Sequence, residues 1–227
     1  MIIDMRKELR RFGIKPDHVL HVGAHEGQED GTYRKMNATP IYVEANPEVF
    51  ARLRENLPER ECHLVAISDH EGTAELHVTS MDQSSSLLSL AKHSEIYPDI
   101  VETKTVQVRC TTIDKLLEGR TESFDVLSLD IQGAELMALK GAANLLSQVS
   151  CIMTEVNRDE LYAGCARMEE IDEFLAQHDF KRVREAFPYH ESWGDALYVK
   201  NHIEELKGWP QRLLQIFQPT AAKAKAA

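Results

Sequence analysis

The stretch from residue 20 to residue 29 constrains the fold most, because the end of an apolar strand, a tight turn and a helix start follow one another within it. Gly23 and Gly27 lie in the turn, where glycine lets a ligand approach the backbone. We expect the helix to begin near Glu26 and to direct free N–H groups at the turn. A second apolar strand at residues 41–43 ends in Glu44. In α/β folds this arrangement binds a nucleoside through its ribose hydroxyls, although the glycines alone fit an ordinary turn equally well.

Length and charge restrict the class of protein. A chain of 227 residues with 43% hydrophobic residues is long enough for one domain with a substantial core. Its net charge of −11 argues against nucleic acid or an anionic membrane as the main partner, because both bind basic surfaces. No apolar run approaches the roughly 20 residues that span a bilayer. The first residues lack the pattern of a signal peptide, so we expect a cytoplasmic protein.

The cysteines and histidines show no metal-binding pattern. The 4 cysteines are scattered without a CxxC pair, and the 10 histidines contain no HExxH motif. We therefore expect reduced thiols and no metal site. The cysteines are Cys62, Cys110, Cys151 and Cys165.

Apolar periodicity predicts alternating strands and helices along most of the chain. A lead-in helix over residues 2–12 precedes the first strand, and residues 180–187 and 196–199 predict a closing β-hairpin across a connection at 188–195. The alternation at 73–78 is typical of a half-exposed antiparallel strand. The other predicted strands are 18–22, 41–43, 62–67, 105–110, 124–130 and 149–155, and the later helices are 48–56, 113–117, 135–146 and 168–178. This order predicts an α/β fold, a three-layer α/β/α sandwich around a mostly parallel sheet.

Polar or acidic residues follow four of these strands. Glu44, Asp130 and Glu155 each stand at a strand end, and Ser68 and Asp69 follow another strand. Ligands of open α/β sheets bind beyond the carboxyl ends of the strands. A single acid there is more often a helix cap or a solvated side chain, but four such ends together predict a binding crevice.

Several blocks of the sequence together resemble the FkbM family of class I methyltransferases, which use S-adenosylmethionine. The most specific block is DIQGAELMALKGA at residues 130–142. The other blocks are HVGAHEGQE (21–29), YVEANPEVFARLRENL (42–57), AISDHEGTAELHV (66–78), SSSLL (84–88) and VRCTTIDKLL (108–117). The resemblance implies a Rossmann-like sheet of seven strands with the last strand antiparallel. It divides the chain into an N-terminal helical lead-in (1–17), a class I methyltransferase domain (18–200) and a C-terminal helical extension with a frayed tail (201–227).

The resemblance also implies the contacts with the cofactor. The turn residues would approach the methionine and ribose parts, and Glu44 would hold the ribose hydroxyls. The pair after residue 67 would lie near the adenine, and Asp130 would face the amino group or the substrate side of the sulfonium. The residues assigned to cofactor binding are Gly23, Ala24, His25, Gly27, Glu44, Asn46, Ser68, Asp69 and Asp130.

Two positions depart from the family pattern. The family usually has Glu where this chain has Gln132, which cannot supply a base, and usually has Asn where this chain has His25. Methylation of an oxygen benefits from a general base. We take Asp130, Glu155 and His25 as the catalytic candidates and His190 as a further candidate base. For each of them a purely structural role is the alternative.

Three functions from different classes fit these observations. The first is a methyltransferase that uses S-adenosylmethionine, directed at a hydroxyl of a sugar or another small molecule. The second is a nucleotide-binding oxidoreductase, which the GAHEG turn disfavours because it is not GxGxxG. The third is a cofactor-binding protein whose catalysis was lost at Gln132. The polar loop at 81–88 is either a lid or substrate segment or a plain solvated loop, and a homodimer is an assembly that the sequence leaves open.

Overall fold

The computed structural model describes residues 2–206 of the chain. The strands are β1 (His18–Val22), β2 (Thr39–Glu44), β3 (Glu61–Leu64), β4 (Ala66–Ile67), β5 (Gly72–Thr79), β6 (Glu102–Thr111), β7 (Val126–Leu129), β8 (Cys151–Asn157), β9 (Phe180–His190) and β10 (Trp193–Lys200). The helices are α1 (Met5–Arg11), α2 (Asp30–Met36), α3 (Pro47–Asn56), α4 (His93–Ile96), α5 (Ile113–Leu116), α6 (Glu135–Lys140), α7 (Ala143–Leu146) and α8 (Met168–Ala176).

The main sheet contains seven strands in the order β3-β2-β1-β7-β8-β10-β9. The pairs from β3 to β8 are parallel, whereas β10 is antiparallel to both β8 and β9. The predicted seven-stranded, mostly parallel sheet with an antiparallel last strand is therefore confirmed. The chain order reverses between β1 and β7, and this switch point is where open α/β sheets bind ligands.

Helices cover both faces of this sheet, because successive side chains of each strand point to opposite sides. In β1, Val19 belongs to one core layer together with Leu9 of α1 and Tyr33 of α2. Leu20 and Leu139, the latter from α6, belong to the layer on the other face. The near-continuous apolar sequence of β1 reflects burial on both faces. The predicted three-layer sandwich is confirmed.

A second sheet of three strands has the order β4-β6-β5, and it corrects one predicted strand. The sequence predicts a single strand over residues 62–67, but the structure divides it at Val65. The N–H group of Val65 donates to Glu44 O, where β2 ends, so the chain beyond it has no partner in the main sheet. Ala66 and Ile67 instead pair with the end of β6. The predicted antiparallel strand at 73–78 is confirmed as β5, which pairs with β6.

Two predicted helix boundaries are wrong for identifiable reasons. The helix predicted near Glu26 begins at Asp30, because His25 and Gly27 adopt φ angles of 48° and 82°, which interrupt a helix. The helix predicted over 135–146 breaks into α6 and α7 around Gly141. A Cβ atom at Gly141 would lie 2.4 Å from Ser68 O. The helix is therefore interrupted where the backbone that follows β4 approaches it closely.

The closing hairpin is confirmed, but its connection is shorter than the predicted 188–195. Strand β9 continues to His190 and β10 begins at Trp193, so Glu191 and Ser192 alone join them. Residues 201–206 form a turn and an irregular segment rather than the predicted helical extension. The remainder of that prediction, residues 207–227, lies outside the described residues.

Candidate functional site

A cavity of about 760 Å³ opens at the carboxyl ends of β1, β2, β7 and β8. This volume is in the range of pockets that hold a drug-sized ligand. Residues 81–87 contribute to its wall, so the structure places the predicted polar loop at the crevice rather than in open solvent. The wall contains seven of the predicted site residues, namely Gly23, Ala24, His25, Glu44, Asn46, Asp130 and Glu155.

The two glycines of the first turn have different surroundings: Gly23 lines the cavity, whereas Gly27 packs against α3. Gly23 has a φ of 79°, and a Cβ atom there would lie 1.8 Å from Asp130 O. The missing side chain therefore lets the exit of β1 approach the exit of β7, and this contact closes the floor of the cavity. Gly27 does not line the cavity; its Cβ atom would meet Leu57 of the α3 C-cap at 2.4 Å. Gly27 therefore packs against α3, and its contact with the cofactor stays a prediction.

Glu44 is fixed by backbone groups on both sides. Its Oε2 atom accepts the N–H group of His25 at 2.9 Å, and its Oε1 atom accepts the N–H group of Asn46 at 2.8 Å. Burial raises the pKa of Glu44, and these N–H donors oppose that shift. Asn46 itself caps α3 by accepting the N–H group of Glu48. A carboxylate oriented in this way presents its remaining lone pairs to a ligand at low entropic cost.

The His25 side chain connects the turn to the polar loop. Its Nδ1 atom lies 2.7 Å from Gln28 Nε2, which can only donate, so the ring proton is on Nε2. This Nε2 atom lies 2.9 Å from Asp82 Oδ1, and Arg52 also binds Asp82. Burial opposes ionisation of Asp82, but these partners outweigh it and lower its pKa. Both ring nitrogens of His25 are therefore occupied by the protein.

Gln132 joins the two strand-end acids. Its Nε2 atom donates to Asp130 Oδ1 and to Glu155 Oε2, each at 2.9 Å. Its Oε1 atom accepts the hydroxyl of Tyr162 at 2.6 Å, which fixes the orientation of the amide. Burial and the neighbouring charges of Asp130, Glu135 and Asp195 raise the pKa of Glu155 well above its usual value.

The DxxGAE block of the sequence builds the loop that carries Gln132. Gln132 has a φ of 57°, which is unusual for a residue other than glycine. Glu135 supports this conformation, because its carboxylate accepts the N–H groups of Ile131 and Gly133. Burial raises the pKa of Glu135 to about 7. The hydroxyl of Ser86 donates to Gln132 O, so the polar loop is attached here as well as at His25.

Three further candidates do not line the cavity. Ser68 continues the small sheet by donating its N–H group to Thr111 O, and the side chain of Asp69 pairs with His70. The wall instead contains the preceding residues 65–67, and the contacts of Ser68 and Asp69 with the adenine stay predictions. The Nδ1 atom of His190 accepts the N–H group of Ser192 in the hairpin, outside the cavity wall.

Several wall residues have no role in the site that the sequence predicts, although His21 and Glu29 lie within one of its motifs. Most of the others reach the cavity from distant elements, as Asp82 does from 57 residues beyond His25. No local spacing signals such contacts, although the serine-rich block marks the segment next to Asp82. The other polar or aromatic wall residues that the sequence analysis did not single out include His21, Gln28, Glu29, His93, Tyr97, Tyr162, Tyr189, Trp193 and Asp195.

The charge of the cavity wall selects among cofactors. Within residues 2–206 the wall includes six acidic residues and neither lysine nor arginine, the acids being Glu29, Glu44, Asp82, Asp130, Glu155 and Asp195. Burial lowers the pKa of His21 and of His93, so these rings are neutral at neutral pH. A cationic sulfonium and an ammonium group fit this acidic wall, whereas the phosphates of a dinucleotide would find no lysine or arginine among the described wall residues.

The fold and this acidic cavity define a class I methyltransferase. The chain matches the family model "Methyltransferase FkbM domain" over residues 21–182. It belongs to the FkbM methyltransferase family, is an S-adenosylmethionine-dependent methyltransferase, and takes S-adenosylmethionine as its cofactor. This membership decides against the oxidoreductase alternative.

Relatives with known names agree with this assignment. The chain is 29% identical over 181 residues to the 2-O-methyltransferase NoeI of Sinorhizobium fredii (strain NBRC 101917 / NGR234), covering 71% of this chain and 72% of that protein. A crystal structure of methyltransferase FkbM from Methylobacillus flagellatus KT aligns with a TM-score of 0.50 at 15% identity, covering 82% of this chain and 44% of that one. A structure of WbdD aligns with a TM-score of 0.52 at 14% identity, covering 92% and 40%. The chain spans less than half of both structures, and these two likenesses concern the fold alone.

No helix within residues 2–206 is long and apolar enough to cross a membrane. The same residues contain no group of three or more His, Cys, Asp or Glu side chains that could hold a metal ion.

Proposed function

We propose that the enzyme transfers the methyl group of S-adenosylmethionine to a hydroxyl oxygen of a sugar or of another small hydroxylated molecule. The observation that carries this proposal is the pair of carboxyl groups, Asp130 and Glu155, joined by the Gln132 amide on the cavity wall. A hydroxyl loses its proton as it is methylated, and this pair offers a proton acceptor. The similarity to a protein named as a 2-O-methyltransferase supports the same reaction class.

We assign different roles to the residues of the cavity wall. S-adenosylmethionine supplies an electrophilic methyl group on a cationic sulfonium. Glu44 holds the ribose hydroxyls, and the turn from Gly23 to His25 forms the floor beside them. Asp130 and Glu155 face the acceptor side, where Glu155 takes the proton of the hydroxyl; the raised pKa of Glu155 favours its uptake of that proton. His25 positions the polar loop through Asp82, since neither ring nitrogen is free to act as a base.

The proposal is tested by measuring transfer of radiolabelled methyl from S-adenosylmethionine to a panel of acceptors. The panel contains glycosides, other small hydroxylated molecules, and amine and thiol analogues of the same size. We expect labelled product with hydroxyl acceptors and none with the amines or thiols. Labelling restricted to amines, or no labelling of any acceptor by enzyme that binds the cofactor, would contradict O-methylation.

Glu44→Ala tests the ribose contact. We expect the variant to bind S-adenosylmethionine more weakly by about 1–3 kcal/mol, or roughly 5- to 150-fold in Kd, because hydrogen bonds to a charged group are lost. Isothermal titration calorimetry measures this Kd. Glu48→Ala is the matched control, since Glu48 is exposed on α3 and pairs with Lys104 outside the cavity. Equal Kd values for Glu44→Ala and wild type would show that the ribose lies elsewhere.

Gln132→Glu tests the amide that joins the two acids. The variant loses two N–H donors and adds a third carboxyl group, so the pKa of Glu155 should rise further. The base accepts a proton only when it is deprotonated. The loss of activity on acidification should therefore occur at a pH about one unit higher than in the wild type. The profile of kcat against pH measures this shift. Gln107→Glu is the control, because Gln107 also donates to a carboxylate, Glu75, but at the surface. A Gln132→Glu profile that stays in place or moves to lower pH would refute the role of the amide.

A further inference from the structure

Aromatic side chains of the closing hairpin form part of the cavity wall, on strands β9 and β10 beyond β8 in the main sheet. Tyr189 and Trp193 stack with ring centroids 5.9 Å apart and an angle of 26° between the planes, and both line the cavity. Tyr189 is 73% exposed, so the ring remains open to solvent although it is large and apolar. Isolated exposed aromatics are ordinary, but a stacked pair at the wall of a binding cavity is typical of a ligand contact.

The strand register places this pair beside the catalytic acids. Asp195 is opposite Glu155 in the ladder of β8 and β10, and Trp193 is opposite Asn157 two residues further along. Residues two apart on a strand share a face and are separated by about 7 Å. A ring held by the aromatic pair would therefore reach Glu155 with a hydroxyl on its edge.

Two polar features show what kind of ring fits. The Nε1–H group of Trp193 already donates to Tyr97 Oη at 3.0 Å, so the indole offers its apolar surface rather than its donor. His93 lines the cavity and is 5% exposed, yet its buried Nδ1 atom has no hydrogen-bond partner among the described residues. A buried polar atom without a partner is costly, and a ligand hydroxyl would satisfy it.

We propose that Tyr189, Trp193, Tyr97 and His93 form the acceptor subsite, and that its ligand is a sugar in the pyranose form. A pyranose combines the features that this subsite requires, because its C–H face stacks on aromatic rings and its edge carries hydroxyls for His93 and Glu155. The inference rests on the proposed O-methylation and narrows its acceptor to carbohydrate. Tyr189 and Trp193 are binding residues here and take no part in proton transfer.

The test uses the full chain with S-adenosylhomocysteine bound and measures binding of methyl glucopyranoside, galactopyranoside and mannopyranoside by calorimetry. The open-chain alditols of the same sugars are the matched ligands, because they have the hydroxyls without the ring face. We expect at least one pyranoside to bind more tightly than its alditol. Tyr189→Ala should weaken that binding about tenfold, the scale of an aromatic stacking contact, and raise KM without changing kcat. Tyr189→Phe keeps the ring and should restore most of the pyranoside binding that Tyr189→Ala loses.

The outcomes separate this inference from the proposed function. If Tyr189→Ala leaves pyranoside binding and KM unchanged, or if no pyranoside binds better than its alditol, the subsite is refuted. If other hydroxylated molecules are methylated while pyranosides are neither bound nor methylated, the sugar assignment fails and O-methylation stands. If a pyranoside binds in a manner that depends on Tyr189 but no hydroxyl is methylated, the subsite stands and the proposed reaction fails. Trp193→Phe, which keeps a ring but removes the donor to Tyr97, should lower binding less than Tyr189→Ala.

Discussion

Glu155→Gln is expected to lower kcat by a factor of about 10²–10⁴, the usual contribution of a general base. The substitution keeps the shape of the side chain, and the amide oxygen can still accept the Gln132 donor that now binds Glu155 Oε2. It removes the group whose pKa is raised by burial and by the charges of Asp130, Glu135 and Asp195. The affinity for S-adenosylmethionine should stay close to that of the wild type. Single-turnover kinetics of methyl transfer, together with calorimetry, measure both quantities.

Glu173→Gln is the matched control, because it makes the same chemical change at an exposed position on α8. It should leave kcat and cofactor affinity unchanged. A Glu155→Gln variant that retains a kcat within about threefold of the wild type, well under the usual effect of losing a base, would remove Glu155 from that role. Asp130→Asn would then be the variant that identifies the remaining carboxyl group as the base.

Gly23→Ala is expected to destabilise the fold by about 3 kcal/mol or more and to abolish cofactor binding. A residue with a side chain is strained at a φ of 79°, and its Cβ atom would lie 1.8 Å from Asp130 O and 2.7 Å from Asp130 C. These are backbone atoms, so the exits of β1 and β7 must separate. Such a loss is a large part of the roughly 5–15 kcal/mol that stabilises a typical domain. Urea denaturation followed by circular dichroism measures the change in free energy of unfolding.

Gly31→Ala, in the same part of the chain, is expected to change the free energy of unfolding in the opposite direction. Gly31 lies in α2 and its φ is not in the left-handed region, while a Cβ atom there meets nothing within 4 Å. Alanine should therefore stabilise the helix by about 0.5–1 kcal/mol. Equal effects of the two substitutions would show that the close approach of Gly23 to Asp130 does not matter for the fold.

The layer order and most strands follow from the sequence because burial on both sheet faces produces recognisable apolar runs. Residues 18–22 and 149–155 illustrate this, since both correspond to central strands of the main sheet. The errors arise where a distant part of the chain decides the local conformation. Gly141 interrupts a helix because Ser68 O approaches it, and the strand at 62–67 divides because β2 ends at Glu44. Neither approach leaves a local pattern.

In the site too, the features set by a local pattern are predictable and those set by distant residues are not. Glu44, Asp130 and Glu155 are predictable because parallel strands bring their carboxyl ends to one edge of the sheet. The hydrogen bond between Gln132 and Tyr162 is not predictable from the sequence, since Tyr162 lies 30 residues further along the chain. The sequence marks Gln132 as a lost acid, whereas the structure shows an amide that joins the two remaining acids. Gly27, Ser68 and Asp69 fit the motif but do not line the cavity, so their contacts with the cofactor stay predictions.

A crystal structure of the enzyme with S-adenosylhomocysteine tests the central claim most directly, because it locates the ribose and the sulfur at once. We expect the ribose hydroxyls within hydrogen-bonding distance of the Glu44 carboxylate and the sulfur facing Asp130 and Glu155. A ligand whose ribose lies away from Glu44, or whose sulfur points away from these two acids, would contradict it.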